Sequence, residues 1–167
     1  MNWFFLTVGY SGLAPKAPGT AGTLVSLPIG VLILAYLGPQ TLFLAALLLT
    51  LIGVKAVEKY QKVSKTHDDS RIVIDELVGI WFALAIAPGV FTPLNELLNL
   101  DNGMLIQILL SFALFRYFDI TKPSIIGRID REAPGGYGVM FDDVIAGVAA
   151  GITTAIVWQG VLMSGLL

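Results

Sequence analysis

The sequence predicts an all-α fold: a small multi-span helical membrane bundle of about four to five membrane helices, forming a single domain over residues 1–167. Three observations predict it. Hydrophobic residues make up 56% of the chain and charged residues 13%, against roughly 25% charged in soluble domains. The mean hydropathy is +0.81, which points to lipid as the solvent. Finally, the basic residues sort to one side of every apolar segment, as the cytoplasmic ends of membrane helices do.

The elements follow in order. The aromatic-rich start, MNWFFLTVGY, suits a bilayer interface or a buried N-terminal segment, and it lacks the basic region of a secretory signal. A first span is predicted over about 21–37, with Pro28 inside it and Gly38-Pro39 ending it. A second covers about 40–57 and continues as a polar helix through EKYQKVSK. A third covers about 72–90, a fourth about 103–120 and a fifth about 142–165. A span needs about 20 mostly apolar residues, so the shorter stretches can also be read as half-buried or re-entrant helices.

Charge sets the orientation. All ten Lys and Arg residues fall in the N-terminal stretch, in the loops around 56–71 and 121–141, or on the adjoining helix ends. The other side has Gly38-Pro39, the segment VFTPLNELLNLDN and the C-terminus, without one basic residue. The charged face is therefore expected to be cytoplasmic. Asp75 and Glu76 open the third predicted helix, Asp119 closes the fourth, and Asp142 and Asp143 open the fifth. All five carboxylates then lie at one depth.

Ionisable groups in membrane segments are functional candidates, although acids also serve as ordinary helix N-caps. With no cysteine and one histidine, a carboxylate cluster suits a hard cation with oxygen ligands, Mg²⁺ above all. Arg116, Asp119 and Lys122 are spaced three apart and lie along one helical face. They read either as an ion-pair ladder or as Asp119 at a metal, with Arg116 and Lys122 binding phosphate. GLAPKAPGTAGT forms a tight turn before the first span; taken alone it reads best as a structural Pro-Gly turn, and Gly19, Thr20 and Thr23 also offer a phosphate cradle there. The loop GRIDREAPGGYG adds Arg128 as a further phosphate-binding candidate, with Asp130 and Arg131 beside it. His67 reads as a solvated loop residue, and Asp68 as an outer member of the acidic site. Acid, metal and cation together equip a protein for phosphoryl chemistry. At headgroup depth the expected substrate is a phospholipid, and the bilayer itself is a partner. No nucleic-acid partner is expected.

The motifs GLAPKAPGTAGTLVSLP, IVIDELVGIW, FRYFDITKPSIIGRIDR and GGYGVMFDDVIAGV, in that order, closely resemble the phosphatidylglycerophosphatase A family of bacterial membrane lipid phosphatases. The resemblance runs from about Gly12 to Ala150. It implies Mg²⁺-dependent hydrolysis of phosphatidylglycerophosphate to phosphatidylglycerol and phosphate, at the cytoplasmic face of a bacterial inner membrane. It carries over onto Asp75, Glu76, Asp119, Lys122, Asp142 and Asp143. Attack by a metal-activated water and a covalent aspartyl-phosphate both remain open as mechanisms.

A carboxylate-lined cation transporter is the alternative. It is disfavoured because the acids crowd one face and the outer halves of the spans offer only Gln107 as a strongly polar group. A structural subunit is disfavoured by the four ordered motifs. Among other phosphatases, Cys-x₅-Arg chemistry is excluded by the lack of cysteine. Histidine nucleophiles are disfavoured by the single histidine, and DxDx[TV] is absent.

Overall fold

Proline is well suited to the first position of a helix, where its missing N–H costs nothing, and Pro18 begins the longest helix. The computed structural model describes residues 2–66, 69–87, 94, 97 and 103–165, and within these every regular element is helical. They are α1 (Trp3–Leu6), a short 3-10 helix (Ser11–Leu13), α2 (Pro18–Ser64), α3 (Ile74–Ile86), α4 (Met104–Thr121), α5 (Ile125–Glu132) and α6 (Gly135–Ser164).

α2 consists of two arms. Gly38 has φ 81° and ψ 170°, a conformation open to glycine, and Pro39 after it brings no backbone donor. The arms fold back on each other, since Val25 and Ile29 of the first line one apolar groove with Leu49 of the second. The first two predicted spans are these two arms. Pro28 sits inside the first without ending it.

α3 runs parallel to the first arm. Gly22 packs on Val73, the Trp81 indole N–H donates to the Ser26 carbonyl at 3.0 Å, and Gly30 packs under Trp81 and Leu84. Against the second arm, Phe82 meets Phe43 edge-on at 5.2 Å between ring centroids. The third predicted span needs correcting. α3 has 13 residues, about 20 Å at 1.5 Å per residue, against an apolar layer of about 30 Å. It is surrounded by protein: every residue from Leu77 to Leu84 is buried.

α4 and α6 run antiparallel. Gly103 meets Trp158 at one end, and Ser111 and Thr154 face each other at 3.4 Å further along. The fifth predicted span also begins earlier than expected. α6 starts at Gly135, after Pro134 in extended conformation, so Asp142 and Asp143 stand two turns inside the helix. The loop expected around 121–141 is largely α5 and the first turns of α6. α1 folds over the start of α3, where the Val73 N–H donates to the Leu6 carbonyl at 2.9 Å.

α2, α4 and α6 are each long and apolar enough to cross a membrane. Leu24, Leu32, Leu48, Leu51 and Ile156 point outward from them, as lipid-facing side chains do, while Leu42, Ile80, Phe115 and Met140 fill the interior. This is a membrane protein. One end of the bundle gathers the start and finish of α2, the start of α3, the finish of α4, α5 and the start of α6, and with them all ten basic residues.

Candidate active site

Small residues let helices approach until their backbones touch, and here that contact places the acids. A side chain on Gly147 would strike the Gly79 carbonyl oxygen, and one on Gly151 would come within 2.9 Å of the Ala83 carbonyl oxygen. The matched four-residue steps make α3 and α6 a parallel pair. Counting back one turn from Gly79 and Gly147 gives Asp75 and Asp143. Both helices thus carry an acid, a glycine and a small residue at four-residue spacing: Asp75-Gly79-Ala83 and Asp143-Gly147-Gly151. The Asp75 carboxylate accepts the Glu76 N–H at 2.9 Å, and the Asp142 carboxylate accepts the Asp143 N–H at 3.0 Å.

Two neighbouring groups result. In the deeper one, Glu76, Asp119 and Asp143 come from three helices and each offers an oxygen within 4.8 Å of the others. Glu76 accepts the Thr23 hydroxyl at 2.8 Å and pairs with Arg116. Arg116 also pairs with Asp119 at 2.9 Å. Glu76 is 8% exposed and Asp143 4%. A side chain at position 19 would collide with the Glu76 carboxylate, which explains a glycine there. The shallower group lines a cleft of about 290 Å³ that includes Gln61, Asp75, Lys122, Asp130, Gly135 and Asp142. The Lys122 ammonium donates to Asp142 at 2.7 Å and to Asp130 at 2.5 Å. Burial pulls its pKa down, but the two carboxylates outweigh burial and hold it above an ordinary lysine's.

Isolated buried charges are costly, and the deeper group is only partly compensated: three carboxylates face one guanidinium. Its donors are hard oxygens from three helices, the set that suits Mg²⁺ or a similar divalent cation. The residues present therefore fit such an ion.

All five predicted carboxylates meet at this end, Glu76, Asp119 and Asp143 in one group and Asp75 and Asp142 in the other. Because Asp142 and Asp143 lie two turns inside α6, the N-cap explanation fails for them. Arg116 and Lys122 reach the site, and Gly19 borders it. Thr20 makes no hydrogen bond to the site among the described residues, and Thr23, one turn on, makes that contact. Arg128, on α5, is not among the described residues that line the cleft; its side chain is 72% exposed and pairs with Glu132 at 3.3 Å. Sequence reasoning missed Gln61, whose place on a polar helix end gives no signal, and undervalued Asp130, eight residues beyond Lys122. His67 and Asp68 lie outside the described residues.

The family model for phosphatidylglycerophosphatase A matches residues 4–158, which take in every residue of both groups. A Haemophilus influenzae phosphatidylglycerophosphatase A is 37% identical over 146 residues, covering 87% of this chain and 82% of the relative. The Escherichia coli protein of that name is 37% identical over 152 residues, covering 90% and 80%. A Bacteroides thetaiotaomicron protein, provisionally named a phosphatidylinositol-3-phosphatase, is 40% identical over 152 residues, covering 87% and 86%. No solved structure matches the chain. With the family model spanning nearly all of it, the chain belongs to the phosphatidylglycerophosphatase A family.

Proposed function

We propose that this enzyme removes the terminal phosphate of phosphatidylglycerophosphate, giving phosphatidylglycerol and inorganic phosphate, with Mg²⁺ as cofactor. One observation carries the reading: three carboxylates, an arginine and a lysine converge at the charged end of an otherwise apolar bundle. The positive-inside bias supports reading that end as the cytoplasmic side of a bacterial inner membrane. A phosphate at headgroup depth reaches it there without leaving the bilayer.

A Mg²⁺ held by Glu76, Asp119 and Asp143 would supply Lewis-acid polarisation of the phosphoryl oxygens and a more acidic water. The chain supplies the rest. Lys122 holds the non-bridging oxygens as a point charge from the cleft, and Arg116 does so from the deeper group. Asp75 borders the cleft outside the deeper group and takes the proton of the attacking water. As the water oxygen bonds to phosphorus, the phosphorus–oxygen ester bond breaks and the leaving glycerol oxygen takes a proton from solvent, to which Asp75 returns the one it accepted. A covalent aspartyl-phosphate is the competing course, and transfer of labelled phosphate onto the protein during turnover would establish it.

The test is phosphate release by the detergent-solubilised protein from three lipids: phosphatidylglycerophosphate, phosphatidic acid and phosphatidylinositol 3-phosphate. The first is expected to be hydrolysed with the highest kcat/KM. Preference for the third would move this chain to the activity named for the Bacteroides relative.

A further inference from the structure

An ammonium has three donors, and Lys122 uses two of them on carboxylates of very different character. Asp142 is on α6 with its side chain 6% exposed, and Asp130 is on α5 with its side chain 42% exposed. Both bonds are charge-assisted and short. The buried partner has no water to fall back on, so its pairing with Lys122 is costly to break. The exposed partner can exchange its ion pair for hydration at little cost. Both line the same cleft as Asp75.

We propose that Asp130 is a placeholder anion. It occupies the position on Lys122 that the substrate's phosphate takes over, and it competes with phosphate for that lysine. The proposal rests on the reading of Lys122 as a phosphate-binding residue. In this account Asp142 fixes the ammonium in the cleft, while Asp130 holds it there in the resting enzyme. When a phosphate arrives, its oxygens replace the Asp130 carboxylate, which turns to water. When phosphate leaves, Asp130 returns and speeds release. A tight turn separates Lys122 from α5: Lys122 lies at φ 43° and Ser124 at φ 51°. Two positive-φ residues so close together bend the chain between α4 and α5, and Asp130 of α5 lines the cleft.

Asp130 is thus a positioning residue, and removing its charge strengthens phosphate binding. The test measures inorganic phosphate as a competitive inhibitor of lipid hydrolysis, and separately as a ligand that raises the Tm of the detergent-solubilised protein. For Asp130→Asn, the inhibition constant and the KM are both expected to fall about tenfold relative to wild type, with kcat unchanged or lower. In a Lys122→Met background, Asp130→Asn is expected to change neither. An inhibition constant that rises or stays the same in Asp130→Asn would overturn the proposal. So would an equal effect with and without Lys122. The Tm readout stands apart from turnover. If wild type released no phosphate from any lipid, the proposed function would fail while tighter phosphate binding by Asp130→Asn would still support the exchange.

Discussion

Gly79 and Gly147 touch backbone to backbone, so closely that no side chain fits at Gly147. That contact fixes how near α3 and α6 lie, and one turn earlier it brings the Asp75-Glu76 pair to the Asp142-Asp143 pair. The acidic site thus depends on two residues that take no part in its chemistry.

Gly147→Ala should therefore destabilise the protein and disrupt the site together. The added methyl meets a carbonyl oxygen that cannot move aside, and overpacking of this kind costs about 1–3 kcal/mol. Gly160 lies on the same helix with nothing near a would-be side chain. Gly160→Ala should be neutral or stabilising by up to about 1 kcal/mol, from helix propensity alone. Thermal unfolding in detergent, with phosphate release assayed alongside, checks both. Equal effects at the two positions would remove the close helix contact from the account.

Arg116 links Glu76 to Asp119, and its loss leaves the deeper carboxylates without a cation from the protein. Arg116→Met is expected to destabilise by about 3–5 kcal/mol, the range for breaking a buried pair. Added Mg²⁺ should recover part of that loss, since a divalent ion would neutralise the same oxygens. Unfolding midpoints with Mg²⁺ and with EDTA measure this. A variant that unfolds at one temperature in both would show that the group binds no such ion.

Outside the membrane helices, Asp69 is held by Arg71 through two side-chain bonds of 2.8 and 2.7 Å, and it also accepts the Tyr60 hydroxyl. Arg71 in turn lies over the Trp3 ring at 5.1 Å, so these residues tie α1 to the turn before α3. The Arg71 hydrogen bonds hold the Asp69 carboxyl well below the usual carboxylate range. A lowered pKa in the folded state stabilises at neutral pH, and that stabilisation is lost as the pH falls through the folded value. Asp69→Asn should thus lower the Tm at pH 7, with a gap to wild type that starts to narrow below about pH 4. A gap that widens on acidification would reverse the sign and refute this role.

Much of this was legible in the sequence, for identifiable reasons. The two arms of α2 were readable because Gly38-Pro39 punctuates an unbroken apolar stretch. The convergence of the five acids followed from where the basic residues fall. The length of α3 was not readable, because a short helix wrapped in protein and a full span share the same hydropathy. The start of α6 was missed because GGYG looks like a turn, whereas Gly136 lies where the α2 backbone passes. The division of the acids into two groups needed the register of α3 on α6. Its signal was present as the matched spacing of Asp75, Gly79 and Ala83 with Asp143, Gly147 and Gly151. Asp130 was hidden because its partner is eight residues away, across the sharp turn at Lys122 and Ser124.

We propose that the carboxylates of Glu76, Asp119 and Asp143, the first and last of them buried, hold the ion that phosphate release requires. Its most direct test is phosphate release from phosphatidylglycerophosphate in detergent micelles, by wild type and Asp143→Asn, with Mg²⁺ and with EDTA. Wild-type turnover is expected to stop in EDTA and return with Mg²⁺. A folded Asp143→Asn is expected to be at least about a hundredfold slower, the scale of losing one strong electrostatic contact to the transition state. Release that survives both EDTA and the substitution would contradict it.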